Sequence, residues 1–335
     1  MANKSVISIT LIIIIGIGLI ITTPILSISS GLSNYGNLKE SISFKYNPSN
    51  SSPIEDLSIN SEIGDIEISY ISPSVDYCAK LELNIEMIGL GIAGKNSLDY
   101  FDIIWQDASP SPSLRLEIKS GIDKDETITL IKNITIFVTL RKDIIFNLNV
   151  ITGLGNIGLV VPFGVSISNI EGNATIGNIL YEFSQCIVNG NITGITDMGN
   201  IELIANNVRY TQNNIWNLSN NNGEILFNII QNKTMGANIT GFGETNIGSI
   251  KVLYKDNNPD VGALFTFHNI VNYNGVWEGF EDIIETNEDK WWLSRFLFYS
   301  DDFPAKNHYN ISLYKHILGA RYYSYNLLNT NITTT

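Results

Sequence analysis

The sequence predicts an all-β chain: a β-solenoid-like stack of 22–25-residue repeats with an N-terminal β subdomain, preceded by one N-terminal transmembrane helix. Two observations carry this. A glycine, a polar residue and an isoleucine recur at Gly155-Asn156-Ile157, Gly177-Asn178-Ile179, Gly199-Asn200-Ile201, Gly223-Glu224-Ile225 and Gly248-Ser249-Ile250, in steps of 22, 22, 24 and 25 residues. A fixed period in that range marks a repeat architecture. Separately, Val6 to Leu26 carries no charge and is long enough as a helix, about 31 Å at 1.5 Å per residue, to cross a bilayer.

The repeat has an internal period of two. After each isoleucine, apolar residues follow two positions on (Leu159, Tyr181, Leu203, Phe227, Val252) and four positions on (Val161, Phe183, Ala205, Ile229, Tyr254). The positions between are mixed: Gly158, Leu180, Glu202, Leu226 and Lys251. Each glycine therefore opens a strand with one buried face. A second apolar stretch ("VSISNI", "CIVNGNI", "IWNLSN", "ANITGF", "LFTFHN") gives each repeat at least one more short strand. The repeat glycines Gly155, Gly177, Gly199, Gly223 and Gly248 are the expected corners, since a tight corner needs a residue that tolerates positive φ. Stacked coils bury one continuous ladder, and the open ends of the stack need caps.

The chain divides accordingly. Residues 1–5 form a cytoplasmic flank with Lys4, and 6–28 a signal anchor or a cleaved signal peptide. The length favours the anchor, and Ser27 and Ser29 are what a cleavage site would use. Both readings export the remainder. Residues 29–50 are a linker, 51–150 a strand-rich N-terminal subdomain, 151–275 the repeats, and 276–335 an aromatic-rich C-terminal cap. "EGFEDIIETNEDKWW" reads as including a short helix, and "YNISLYKHILGARYYSY" as strand, turn, strand.

Export and charge bound the partners. With 20 Lys and Arg against 33 Asp and Glu, the net charge is −13, which disfavours nucleic acid and anionic membrane surfaces. The stretch "IEMIGLGIAGKNSLDYFDI" contains G-x-G-x-x-G and most of a phosphate-binding loop. Both fingerprints need a helix beginning at the glycines. Here Tyr100, Ile103 and Trp105 read as a strand and Asn96 replaces the hydroxyl residue, so the stretch is a turn and no nucleotide or other cofactor is expected.

Catalytic and metal constellations are sparse. The three histidines, His268, His308 and His316, have no partner at ligand spacing, and no metal site is expected. The acidic stretches Asp123–Thr127 and Ser300–Asn307 lack calcium-loop spacing and read as solvated hairpin turns. Cys78 and Cys186 sit in strand-like runs and read as small buried hydrophobes, with a disulfide as the alternative. Beyond the membrane segment, glycosylation sequons start at Asn50, Asn133, Asn173, Asn191, Asn217, Asn232, Asn238, Asn310 and Asn331, only slightly more than 41 asparagines give by chance. The abundance of asparagine itself is read as base composition. The cluster "WWLSRFLFYSDDF", with Trp291, Trp292, Phe296, Phe298 and Tyr299, is the candidate contact surface or the seal of the stack.

Three short motifs resemble a known group. "GDIEI" at Gly64–Ile68, "ITIFVTL" at Ile134–Leu140 and "LNVITGLGNIGL" at Leu148–Leu159 follow the order seen in adhesin-like families of unknown function, sometimes called toast-rack domains. The likeness covers roughly residues 55–330. Arg141-Lys142 stands where such proteins commonly have proline. The resemblance implies a single-handed (right-handed) β-solenoid-like fold at the cell surface and brings no catalytic residues. The expected function is thus a non-enzymatic, membrane-anchored, extracellular module that binds a cell-surface glycan or protein or builds the envelope. A carbohydrate-active β-helix enzyme is the first alternative and would show three or more convergent acids in a lateral groove. A sensing partner of a membrane signalling system is the second.

Overall fold

The computed structural model describes residues 35–48, 53–256, 258–268, 273–275, 280–287, 294–300, 306–315 and 322–324. The membrane segment 6–28, Asn50, Asn331, Trp291 and Trp292 lie outside the described residues. No helix among the described residues is long and apolar enough to cross a membrane.

The chain forms two compact units. The larger comprises Ile42–Leu83, Asp102–Glu117 and the described residues from Thr135 onward. It is a stack of parallel coils, and each middle coil passes through three faces, the first two belonging to one large sheet and the third a small sheet of its own. The first face contains Ile145–Leu154, Ile170–Ile176, Ile192–Met198 and the leading halves of the 18-residue strands Asn214–Gln231 and Ile239–Asp256. The second contains Ile157–Val161, Ile179–Ser184, Ile201–Asn206 and the trailing halves of those long strands. The third consists of the two-residue strands Ser166–Ile167, Ile187–Val188 and Arg209–Tyr210.

The registers place like residues over like. Ile157, Ile179, Ile201, Ile225 and Ile250 form one fully buried column. The columns two and four residues on are buried as well. On the first face Leu148, Ile170, Ile192 and Trp216 are stacked partners. Trp216 then faces Gly241, and Ile311 occupies the space a side chain there would need. A large residue is thus matched by an absent one, which keeps the core filled.

The repeat glycines share one backbone conformation. Gly155, Gly177, Gly199, Gly223 and Gly248 all have φ between 148° and 154°. A Cβ at any of the last four would run into the carbonyl of the corner glycine one coil earlier. Only glycine satisfies both demands.

The subdomain boundary expected at residue 150 is corrected. Ile54–Ile63 pairs in parallel with Ile145–Leu154, and Asp65–Ile71 with Ile157–Val161, so residues 54–71 are a coil of the same stack. Gly64 (φ 121°), Asp65 and Ile66 repeat the corner chemistry, and Ile66 sits over Ile157. A long insertion before the next corner hid this unit from a period search. On its other side Asp65–Ile71 pairs with residues 135–141.

Toward the C-terminus, Asn307–Lys315 pairs in parallel with residues 239–245 and with Val261–His268. Val261–His268 also pairs antiparallel with Ser294–Ser300, which in turn pairs with Phe280–Asn287. The short helix read into "EGFEDIIETNEDKWW" is therefore corrected: its core is a strand, stabilised by the neighbour a local reading cannot see.

The smaller unit comprises Asn84–Phe101, Ile118–Ile134 and residues 35–41. Here the acidic stretch at Asp123–Thr127 opens a helix, Lys124–Leu130, instead of a hairpin turn. Asp123 is its N-cap, its carboxylate accepting from the amides of Asp125 (3.0 Å) and Glu126 (3.4 Å). The glycine-rich stretch is a turn after the strand Ala79–Leu90, as expected, with Gly91 and Gly94 at φ 80° and 77°. It leads into a three-residue 3-10 turn, Ser97–Asp99, and then the strand Phe101–Gln106.

Candidate functional site

Asparagine, set aside as base composition, turns out to register the coils. On the second face, the Asn178 amide donates to the Asn156 side-chain oxygen (2.8 Å), and the Asn200 amide donates to that of Asn178 (2.9 Å). The Glu224 amide donates to Asn200 in the same way (2.8 Å). Asp65 heads this ladder, its Oδ1 accepting from the Asn156 backbone (2.7 Å) and side chain (2.9 Å). A second ladder on the first face runs from Asp56 through Asn147, Asn169 and Asn191 to the Ile215 amide. Each ladder starts with an acid that only accepts and continues with amides that can also donate.

A third column is buried. Thr152, Thr196, Asn220 and Thr245 each donate to the carbonyl of a corner glycine one coil earlier, at 3.1, 3.0, 3.3 and 3.5 Å. Ala174 holds the same register position and cannot donate. These bonds satisfy carbonyls that the corner would otherwise strand away from water.

The outward side of the second face is the strongest candidate site. Beside the Asp65–Asn156–Asn178 ladder runs the row Phe137, Glu67, Gly158, Leu180, Glu202, Leu226 and Lys251, each a register partner of the next. Phe137 is 38 % exposed and Val160, two residues on from Gly158, is 42 % exposed. At Gly158 the row has no side chain, and an open depression of about 430 Å³ lies there. Its lining includes Phe137, Val160, Leu180, Asp65 and Glu67, and no lysine or arginine. Further along, Glu224 is bonded to Ser249 (2.9 Å) and ion-paired with Lys251 (2.6 Å). An apolar ridge flanks the corner, with Ile176, Met198 and Ile247 about half exposed.

The smaller unit has its own depression, of about 370 Å³, lined by Lys39, Glu40, Asn84, Glu86 and Asn133 among others. The Lys132 ammonium, 2.7 Å from Glu86, holds that carboxyl below its usual range. Glu40 accepts from the Ser97 amide (3.0 Å).

The remaining sequence-predicted positions scatter. Asn133, Asn191, Asn217, Asn232 and Asn310 are exposed, while Asn173 and Asn238 are half-buried. Two of these sequon residues serve as rungs: Asn191 accepts from Ile215, and Asn238 accepts from the His308 amide at 3.0 Å. Phe296, Phe298 and Tyr299 fall on Ser294–Ser300, opposite Phe267, Phe265 and Leu264. Cys78 and Cys186 are free and buried, and burial pushes the Cys186 thiol up to about 12. Each is a small apolar filler, with Cys186 next to the inner strand of the third face. Among the described residues no group of three His, Cys, Asp or Glu could hold a metal ion.

No family model matches the chain, and no curated protein matches it. Solved structures do resemble it. A candidate cell adhesion protein from Clostridium sporogenes has 9% identity and a TM-score of 0.35, over 86% of this chain and 100% of that one. A candidate adhesin from Bacteroides fragilis has 11% identity and a TM-score of 0.34, over 86% and 97%. A candidate adhesin from Parabacteroides merdae has 11% identity and a TM-score of 0.31, over 88% and 98%. None of the three lends this chain a site residue.

Proposed function

We propose that this chain is a non-enzymatic, extracellular β-repeat protein, held to a membrane by residues 6–28, that binds a cell-surface glycan or protein through the outward second face. The observation that carries the reading is that face: an ordered sheet with exposed Phe137 and Val160 around an open depression. Exposed apolar side chains gathered on one rigid surface mark interaction sites. The ladders support it by fixing the spacing of neighbouring strands, so the surface is preorganised for binding. The uncharged run Val6–Leu26 supports the anchor and the export. The carbohydrate-active alternative asks for three convergent acids. This depression presents two, and Asp65 is engaged by Asn156.

The test is saturable binding of the purified full-length chain to a polysaccharide array and to intact cells. Saturable binding without release of product is the expected result. Release of reducing ends from a bound polysaccharide would overturn the non-enzymatic reading, and absence of binding to every surface would overturn the binding one.

A further inference from the structure

Gly158 is the glycine that the backbone does not require. Every other glycine from Gly36 to Gly248 has a positive φ or a neighbouring atom pressed where a Cβ would go. Gly158 has an ordinary φ, and the nearest atom to its would-be Cβ is the Ile66 carbonyl at 3.9 Å. It sits inside the strand Ile157–Val161, where glycine weakens pairing and adds no packing. A glycine in that position without a local cause marks a place where something else comes close.

The surroundings specify what fits. On one side of Gly158 in register is Glu67 and on the other Leu180, with Phe137 beyond Glu67. Val160 continues the apolar floor along the same strand. Asp65 accepts at Oδ1 from Asn156, whereas the Glu67 carboxylate has no hydrogen-bond or ion-pair partner among the described residues. No basic side chain lines the depression, and the chain as a whole carries a net charge of −13. The complement of an apolar floor beside an uncommitted carboxylate is a long apolar stem ending in a cation. Lysine and arginine have that form. The depression, about 430 Å³, exceeds any single side chain, so more than one residue of an extended segment would enter it.

We propose that the notch at Gly158 receives a lysine or arginine side chain from a basic segment of a partner protein. Its stem lies on Val160, Leu180 and Phe137, and its cation meets Glu67. The proposal rests on the reading of the second face as the binding surface and names the partner class for it.

The probe is a ten-residue peptide of alternating lysine and leucine, titrated against the full-length chain. A peptide with glutamate for lysine and a set of neutral oligosaccharides serve as comparisons. The lysine peptide is expected to bind saturably and the glutamate peptide to fail. Gly158→Leu fills the notch without changing charge and is expected to weaken binding at least tenfold, with no loss of melting temperature. Glu67→Gln should weaken it several-fold and flatten its salt dependence. Equal affinity for wild type and Gly158→Leu would overturn the proposal, because net charge alone would then explain the attraction. So would binding of a neutral oligosaccharide that Gly158→Leu abolishes, which would make a sugar the occupant. If the chain binds cells while the lysine peptide does not bind, the notch proposal fails and the second face remains a binding surface. If both fail, the reading of that face fails as well.

Discussion

The middle coils and the leading coil of the stack are built by the same rules from very different stretches of chain. Between Gly155 and Gly223 the corners recur every 22 to 24 residues, so the period is visible in the sequence. The leading corner, Gly64-Asp65-Ile66, precedes its neighbour by 91 residues, and yet Asp65 and Asn156 are bonded as closely as any two adjacent rungs. What defines a coil is therefore the chemistry of its corner: a glycine whose absent side chain admits the previous carbonyl, then a side chain that accepts the next amide. Contiguity is incidental. The two regions differ at one point, because the leading rung is an acid and the middle rungs are amides.

The largest break in that comparison should come at a middle corner. Gly177→Val combines a φ of 154° with a collision at the Gly155 carbonyl, and backbone on both sides leaves it no room to move. We expect it to cost more than about 4 kcal/mol, read as loss of the cooperative melting transition in circular dichroism. Gly158→Leu, three residues beyond a corner, should not lower the melting temperature, which separates corner glycines from the notch.

Next in size is the core. Trp216 is fully buried, 5.5 Å from the Tyr309 ring and 6.5 Å from that of Phe227. Trp216→Ala should cost about 3–5 kcal/mol by leaving a cavity, measured as a lower denaturant midpoint.

The ladder gives a smaller, sharper contrast. Asn178→Asp puts a carboxylate against the Asn156 side-chain oxygen where an amide now donates (3.1 Å), and should cost about 1–2 kcal/mol. Asp65→Asn keeps the acceptor that Asn156 uses and should stay within about 0.5 kcal/mol of wild type. Equal effects at the two positions would mean that head and middle rungs do not differ. The smallest effect runs the other way. Ala174→Thr supplies the hydroxyl missing from the buried column, within reach of the Gly155 carbonyl. It should raise stability by about 1 kcal/mol, seen as a small rise in melting temperature.

Much of this architecture could be read from the sequence because a period of two inside a period of 22 leaves a trace at fixed positions. The isoleucine column, the corner glycines and the turn at Gly91 belong to that category. Gly64 did not show as a coil because its partner strands come from residues 135–141 and 157–159, distant in sequence. The asparagine ladders escaped because each bond joins different coils, so a single Asn looks like any polar corner residue. A comparison of equivalent positions, Asn147, Asn169 and Asn191 above all, would have found them. The site was the least legible part. Gly158 was visible in the outward column, but only the geometry shows that neither φ nor crowding calls for glycine there. The helix after Asp123 does have a local signature, an N-capping aspartate with Glu126 three positions on.

The most direct test of the stack is a register measurement across the insertion. Asp65→Cys combined with Asn156→Cys places two thiols on adjacent strands about 4.8 Å apart, within disulfide range. Asp65→Cys with Asn178→Cys places them two strands apart, about 10 Å, beyond that range. Under mild oxidation the first pair should cross-link rapidly and the second should not, with the buried Cys78 and Cys186 silent in both. Cross-linking of the 65/178 pair, or none in the 65/156 pair, would contradict the claim that Gly64-Asp65-Ile66 is the leading coil of the repeat.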